Sequence, residues 1–284
     1  MPSHILNSSN KSSQSIFIHS EDSVINISGS DKIFYFDEAV VAPVGCRILI
    51  GLTNMVIPNA IYNVNSTSNT ITISGVTYTI TVGNYNAADL ATAINTQISS
   101  IGSVAFNTDN NVFVFTFGSA KIIQSTTMER QLGLGNNQLP TASVTTYKAT
   151  NLCDLGGVRN IYVRLTNLTM NNIDSNGTSN NIVASVVNDT NFGAYLFHTP
   201  SEVLYYQITE DQFNHLNIAL TDQSNTPLEL NGVEYTLTLT CHFVKQRESL
   251  ERTTLLKQIT EQYEKLTESE QEPETETKKE PEKK

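Results

Sequence analysis

Residues 216–243, LNIALTDQSNTPLELNGVEYTLTLTCHF, decide the fold class. Leu216, Ile218 and Leu220 alternate with Asn217, Ala219 and Thr221. After a turn-rich stretch containing Asn231-Gly232, Tyr235, Leu237, Leu239, Cys241 and Phe243 alternate with Thr236, Thr238, Thr240 and His242. A period of two belongs to a strand with one buried and one wet face. Both runs read as strands, and Cys241 falls on the inward face as a core thiol.

The same texture covers most of the chain. Ile161, Val163 and Leu165 alternate with Tyr162, Arg164 and Thr166, and Asn180–Val187 and Val203–Ile208 read as shorter strands. Upstream, Lys32–Phe36 and Arg47–Ile57 read as strands, joined by a turn at Pro43-Val44-Gly45 and ended by Pro58. With the β-like pieces Ile16-Phe17-Ile18 and Val24–Ile27, about eight strands lie outside residues 65–145, the number of a two-sheet jelly roll, though the count alone also admits other sandwiches. The fold class expected is mainly β: a single jelly-roll β-sandwich with a small α+β insertion and a charged C-terminal tail.

The insertion spans 65–145. Thr70–Ser74 and Val76–Val82 alternate strictly, with Val76, Tyr78, Ile80 and Val82 expected on one buried face. A hairpin is expected from Val104–Phe106 and Val112–Phe117, turning through Asn107–Asn111. Between them, Ala87, Leu90, Ala91, Ile94 and Ile98 mark one face of a helix that Asn84 or Asn86 can cap. The entry Gly83-Asn84-Tyr85 has neither the glycine spacing nor the Lys of a phosphate loop, so it reads as architecture. Thr127–Leu132 reads as a short helix turned off at Gly133. The organisation read from the sequence is therefore an N-terminal arm (1–30), a first jelly-roll segment (31–64), the insertion (65–145), a second jelly-roll segment (146–247) and the tail (248–284). The arm, Ser- and Asn-rich with its two short β-like pieces, reads as an extended segment.

Composition narrows the function. The chain has 284 residues, 39% of them hydrophobic, enough for a sizeable core. Its formal charge is −11, of which the tail, with 11 Asp or Glu against 7 Lys or Arg, contributes −4. No basic stripe exists to neutralise phosphates, so neither direct nucleic-acid binding nor adhesion to an anionic membrane is expected. There is no run of about 20 apolar residues and no signal-like N-terminus, so no membrane span or cleaved leader is expected. Three scattered cysteines, Cys46, Cys153 and Cys241, fit neither a disulfide framework nor a metal knuckle.

No catalytic, cofactor or metal residues emerge, and no enzyme is expected. His4, His19, His198, His215 and His242 share no metal-ligand spacing, and no nucleophile elbow occurs. Glu210, Asp211 and Asp222 read as caps and turn formers rather than as an acid–base pair. In the tail, Leu255, Leu256, Ile259, Tyr263 and Leu266 recur at helical spacing from Glu251 to about Thr267, an amphipathic helix suited to a partner; beyond Glu268 the composition is that of a disordered chain.

The order of motifs resembles one family. Leu52-Thr53-Asn54-Met55-Val56-Ile57-Pro58-Asn59 with Tyr62-Asn63-Val64 comes first, then Gly83-Asn84-Tyr85 with Leu90 and Ile94-Asn95, then Leu132-Gly133-Leu134. Asn160-Ile161-Tyr162-Val163 and Asn167-Leu168 follow, and Leu220-Thr221-Asp222 leads to Pro227-Leu228-Glu229-Leu230-Asn231-Gly232 and the final strand. Over roughly residues 15–245 this resembles the penton proteins, the vertex minor capsid proteins of virophages and polinton-like double-stranded DNA viruses. The resemblance implies a structural protein of the virion, made in the host cytoplasm and assembled as a homopentamer at the capsid vertex. It also implies contact with a double jelly-roll major capsid protein, and an insertion projecting outward as a surface for a host receptor or fibre. The charged tail departs from the family's pattern. The alternative is a lectin-like or receptor-binding β-sandwich module of a viral fibre or surface protein. The Thr- and Asn-rich faces allow that alternative; the lack of tryptophan and of a calcium-ligand loop weighs against it.

Overall fold

A computed structural model of the chain describes residues 12–135, 137, 139–172, 180–245 and 255–262. Among these, the elements run in the order β1 (Ser13–His19), β2 (Ile25–Ser28), β3 (Asp31–Val41), β4 (Cys46–Pro58), β5 (Thr70–Ile73), β6 (Val76–Thr79), α1 (Ala87–Ile98), β7 (Gly102–Asn107), β8 (Val112–Lys121), β9 (Ile123–Thr126), α2 (Glu129–Leu132) and β10 (Val144–Lys148). The chain continues with β11 (Asn160–Leu165), β12 (Ile182–Val187), β13 (Tyr195–His198), β14 (Tyr206–Gln207), β15 (Gln212–Thr221) and β16 (Thr236–Lys245). Residues 255–262 form a further helix.

Two sheets make the sandwich. One has the order β1-β16-β4-β13, with β14 also paired to β4; the other runs β12-β11-β15-β3-β2, and every pair is antiparallel. With β2 taken as an annex of β3 and β14 of β13, the sandwich strands in chain order give first-eighth-third-sixth and second-seventh-fourth-fifth. That is the double Greek-key order of a jelly roll. The inward residues follow from the period of two: Ile48 and Ile50 on β4, Val163 and Leu165 on β11, Leu216 and Ile218 on β15, and Leu239 and Cys241 on β16 are fully buried in one shared core.

The first strand corrects an expectation. Residues 13–19 are not a free arm: β1 pairs with β16 of its own chain from Ser13↔His242 to His19↔Thr236, burying Ile16 and Ile18. Val24–Ile27 likewise serves its own chain, as β2 against β3. Three apolar residues among serines suffice here because β16 supplies a ready ladder. Residues 1–11 lie outside the described residues.

A polar clip fastens this corner. The Lys32 ammonium on β3 donates to the Ser20 carbonyl oxygen (2.9 Å) and to the Glu234 carboxylate (2.8 Å), and the Ser20 hydroxyl also donates to Glu234. The Tyr235 amide donates to the Ser20 hydroxyl (2.8 Å). These bonds join the end of β1, the start of β3 and the start of β16, so both sheets are tied at one end.

Between β4 and β11 the chain builds a second core. Two three-stranded sheets, β10-β8-β7 and β6-β5-β9, enclose Leu90, Ile94 and Ile98 of α1 with Ile71, Phe113 and Phe115. Asn86 caps α1 by accepting from the Asp89 amide at 2.9 Å. The unit runs past position 145: β10 pairs with β8, Ala149 is buried in this core, and Cys153 and Leu155 pack against it. The stretch 76–82 departs from simple alternation: Val76, at the start of β6, and Val82, beyond its end at Thr79, are exposed, and only Ile80 is fully buried. Downstream, Val203–Ile208 forms only the two-residue β14, and Thr209–Phe213 leads directly into β15 without a helix.

Candidate functional site

Among the described residues the sandwich has two sides whose edge strands have no further partner. β1 edges the first sheet and β2 edges the second, and the two are joined by only Ser20–Val24, so they share one side. β13 and β12 edge the opposite side, joined by residues 188–194. Some of the exposed large apolar residues lie on these strands, at positions that face away from the core. On the first side, Ile16 and Ile18 point inward, which leaves Phe17 outward and 74% exposed; Val24, Ile25 and Ile27 are also exposed. On the second, Leu196 points inward and leaves Tyr195 and Phe197 outward, Phe197 again 74% exposed, with Val187 and Leu204 nearby in the chain. Tyr195 and Phe197 lie 6.4 Å apart, ring to ring.

The two ends of the sandwich differ as well. β4 pairs its first residue with the last of β16 (Cys46↔Lys245) and reaches Val56 opposite Thr236 near its other end. The tail therefore leaves from one end and the insertion from the other, along a strand of 13 residues, roughly 40 Å. Helix 255–262 is exposed throughout, with Leu255, Leu256 and Ile259 forming an apolar stripe. The rest of the expected helix, including Tyr263 and Leu266, and the segment beyond Glu268 lie outside the described residues.

A buried amide fixes the insertion to the sandwich. Asn63, 6% exposed, donates to the carbonyl oxygens of Tyr85 (2.8 Å) and Leu155 (3.0 Å) and accepts from the Tyr85 amide (3.0 Å). It so binds the outgoing chain to the returning one. Val64 and Gly83 exchange a backbone pair beside it, which gives the Gly83 stretch its architectural purpose. Gln131 donates to the Asn63 carbonyl oxygen at 2.8 Å. Asp154, on the returning chain, takes Arg130 of α2 (2.7 Å) and Arg159 beside β11 (3.3 Å). Burial works to raise the Asp154 pKa, but the Arg130 hydrogen bond, the Gly156 amide and the charges of both arginines outweigh it and hold the carboxyl below its ordinary value.

Beside this junction lies a cleft, with a cavity of about 500 Å³ lined by Tyr62, Asn65, Thr67, Asp222, Thr226 and Asn231 among others. Its loops are held in place: Asp222 accepts from the amides of Ser224 and Thr226, and Asn231 donates to the Ala60 carbonyl oxygen. Tyr62 stacks on Phe192 with ring centroids 5.7 Å apart.

The groups weighed for chemistry lie apart. Glu210 and Asp222 flank opposite ends of β15; Glu210 accepts from the Thr169 amide, and Asp222 closes its turn. His215 stacks on Tyr35 (5.4 Å), and His242 meets Tyr205 edge-on (4.5 Å). Burial pushes the His198 pKa down. Burial also pushes the Cys241 thiol up to about 12, and the Cys153 thiol is raised by burial and by the Asp154 charge, so neither is an activated thiolate. Among the described residues no three His, Cys, Asp or Glu side chains are grouped to hold a metal, and no helix is long and apolar enough to cross a membrane.

No protein-family model and no curated protein matches the chain. Solved structures do. A crystal structure of the mavirus penton protein is similar at a TM-score of 0.43 and 12% identity, over 82% of this chain and 99% of that one. A chain of the 3.5 Å cryo-EM structure of the Sputnik virophage is similar at 0.41 and 11%, over 84% of this chain and 99% of that one.

Sequence reading names Asn63 and Phe17 only within longer motifs and gives no role to them, to Asp154 or to Phe197. Alternation marks the two faces of a strand but not which of them meets the core, so the outward position of those two phenylalanines has no local signal.

Proposed function

We propose that this chain is a structural capsid protein that forms the homopentameric vertex of an icosahedral double-stranded DNA virus or virophage. The observation that carries the reading is a single jelly roll whose insertion and tail leave from opposite ends. A shell subunit needs an outward end, an inward end and lateral sides for its neighbours. Here the insertion supplies the first as the surface for a receptor or fibre, and the tail supplies the second. The apolar stripe of helix 255–262 then meets the double jelly-roll major capsid protein beneath the shell. Extra density at the five-fold positions of assembled particles, into which the jelly roll fits with the insertion outward, is the expected result of particle imaging. Vertices filled by another chain, with this one absent from purified particles, would overturn the reading.

A second reading is favoured by the junction cleft. Its cavity falls within the range of about 300–1,000 Å³ of small-molecule sites, and Tyr62 with Asn65, Asp222 and Asn231 combines an aromatic face with hydroxyl-binding polar groups. Glycan-array binding by a chain that stays monomeric would carry this lectin-like reading.

A further inference from the structure

We propose that the junction cleft is a hinged binding site for a neutral, hydroxyl-rich ligand of the glycan class, and that the insertion swings toward the sandwich to close on it. This rests on the lectin-like reading and adds to it the ligand's charge and the motion that holds it.

The hinge follows from where the chain changes cores. The sandwich core and the insertion core share no residue. On the outgoing chain Ile61 is buried in the first and Val64 in the second; Tyr62 stacks on Phe192 of the sandwich, whereas Asn63 bonds into the insertion through Tyr85. On the returning chain Leu155 packs on the insertion core and Val158 on the sandwich core, so the change falls on Gly156-Gly157. Gly157 has a φ of +65°, and a Cβ there would lie 3.9 Å from the Asn63 Cβ, so the two crossings run side by side. Two adjacent crossings, one of them a double glycine, can absorb a rotation without disturbing either core. Across this line Arg159, whose side chain is 71% exposed, pairs with Asp154 at 3.3 Å; an exposed pair is a weak latch.

The cleft opens along the same line. Asn65, Thr67 and Val82 line it from the insertion and Asp222, Thr226 and Asn231 from the sandwich, with Tyr62 at the hinge between them. Rotation therefore changes its width, and a crevice between two such bodies is a common place for a ligand. Its carboxylates are Asp222 and Glu229, and among the described residues no Lys, Arg or His lines this cavity. Arg130 and Arg159, which line an adjoining cavity, are both paired with Asp154. An acidic ligand is repelled there, while sugar hydroxyls meet charged acceptors and a sugar's apolar face meets the Tyr62 ring.

The test uses the full chain with Cys46→Ser and Cys153→Ala, spin-labelled through Thr108→Cys with Glu38→Cys or through Ser119→Cys with Glu38→Cys, exposed positions outside the cleft. An array of neutral and sialylated glycans selects the neutral glycan used as the probe. The label-to-label distances should be broadly distributed in the free chain, broader still with Arg159→Gln, and should narrow and shift when the probe is added. Asp222→Asn, which keeps the acceptor of its turn, and Glu229→Gln should each weaken the probe about tenfold or more and admit sialylated glycans, with circular dichroism matching the unaltered chain. Binding that leaves both distance distributions unchanged would overturn the hinge while the lectin-like reading stands. Binding untouched by both substitutions, or a preference of the unaltered chain for sialylated glycans, would overturn the site. An array on which no neutral glycan binds would sink the lectin-like reading and this site with it.

Discussion

Asn63→Ala should loosen the insertion from the sandwich by a calculable amount. The substitution removes three hydrogen bonds from a site 6% exposed, to the Tyr85 amide and to the carbonyl oxygens of Tyr85 and Leu155. At about 1 kcal/mol net for each bond, the loss is about 3 kcal/mol, and the groups left unpaired in a buried place keep it from being less. A chain of this size loses about 2–4 °C of melting temperature per kcal/mol, so the fall should be about 6–12 °C. Hydrogen exchange should show the loss focused on Tyr85 and on α1, which follows it, rather than on β16. Asn63→Asp provides the control. It keeps an acceptor for the Tyr85 amide but points a carboxylate at two carbonyl oxygens, so near neutral pH it should be worse than Ala. Burial raises the pKa of such a carboxyl, and its protonated form donates again, so its deficit should shrink as pH falls. A melting temperature within about 2 °C of the parent for Asn63→Ala would refute the view that this amide holds the junction.

Three further outcomes follow from the packing. The Glu234 carboxyl is held below its ordinary 4.5 by hydrogen bonds from Lys32 and Ser20. Its contribution is therefore present above pH 4.5 and lost as pH falls through the lower folded value. Glu234→Gln should flatten the acid limb of a urea-midpoint profile below pH 4.5; an unchanged slope would refute the clip. Gly133→Ala should destabilise by about 2 kcal/mol or more, because φ is +66° and a Cβ would sit 2.1 Å from the Asn151 carbonyl oxygen; calorimetry showing a parent-like transition would contradict the turn. With its thiol buried and pushed up to about 12, Cys241 should resist maleimide at about pH 8 until the chain unfolds, while half-buried Cys46 reacts first; early labelling of Cys241 in peptide maps would contradict the core.

Much of this is written in the sequence where local chemistry sets local structure. Alternation locates β15 and β16, although Ala219 and Thr221, expected on the wet face of β15, are buried as well; Pro58 ends β4, and Asn86 caps α1 as a side-chain acceptor must. Pairing over long separations is not legible. Ser13–His19 reads as an arm because its partner β16 lies more than 200 residues on, and nothing within those seven residues reveals an available ladder. β10, VTTYK, has no buried side chain, so its membership of the insertion shows only through β8. β13 is a four-residue strand with a single buried Leu196, too short for a period to show.

The most direct test of the central claim is the native mass of the purified full-length chain across a concentration series. A closed ring of five predicts a species of about 157 kDa, five times 31.3 kDa, that grows with concentration and stops there. A chain that remains at 31.3 kDa at every concentration, both alone and with the major capsid protein present, would contradict it.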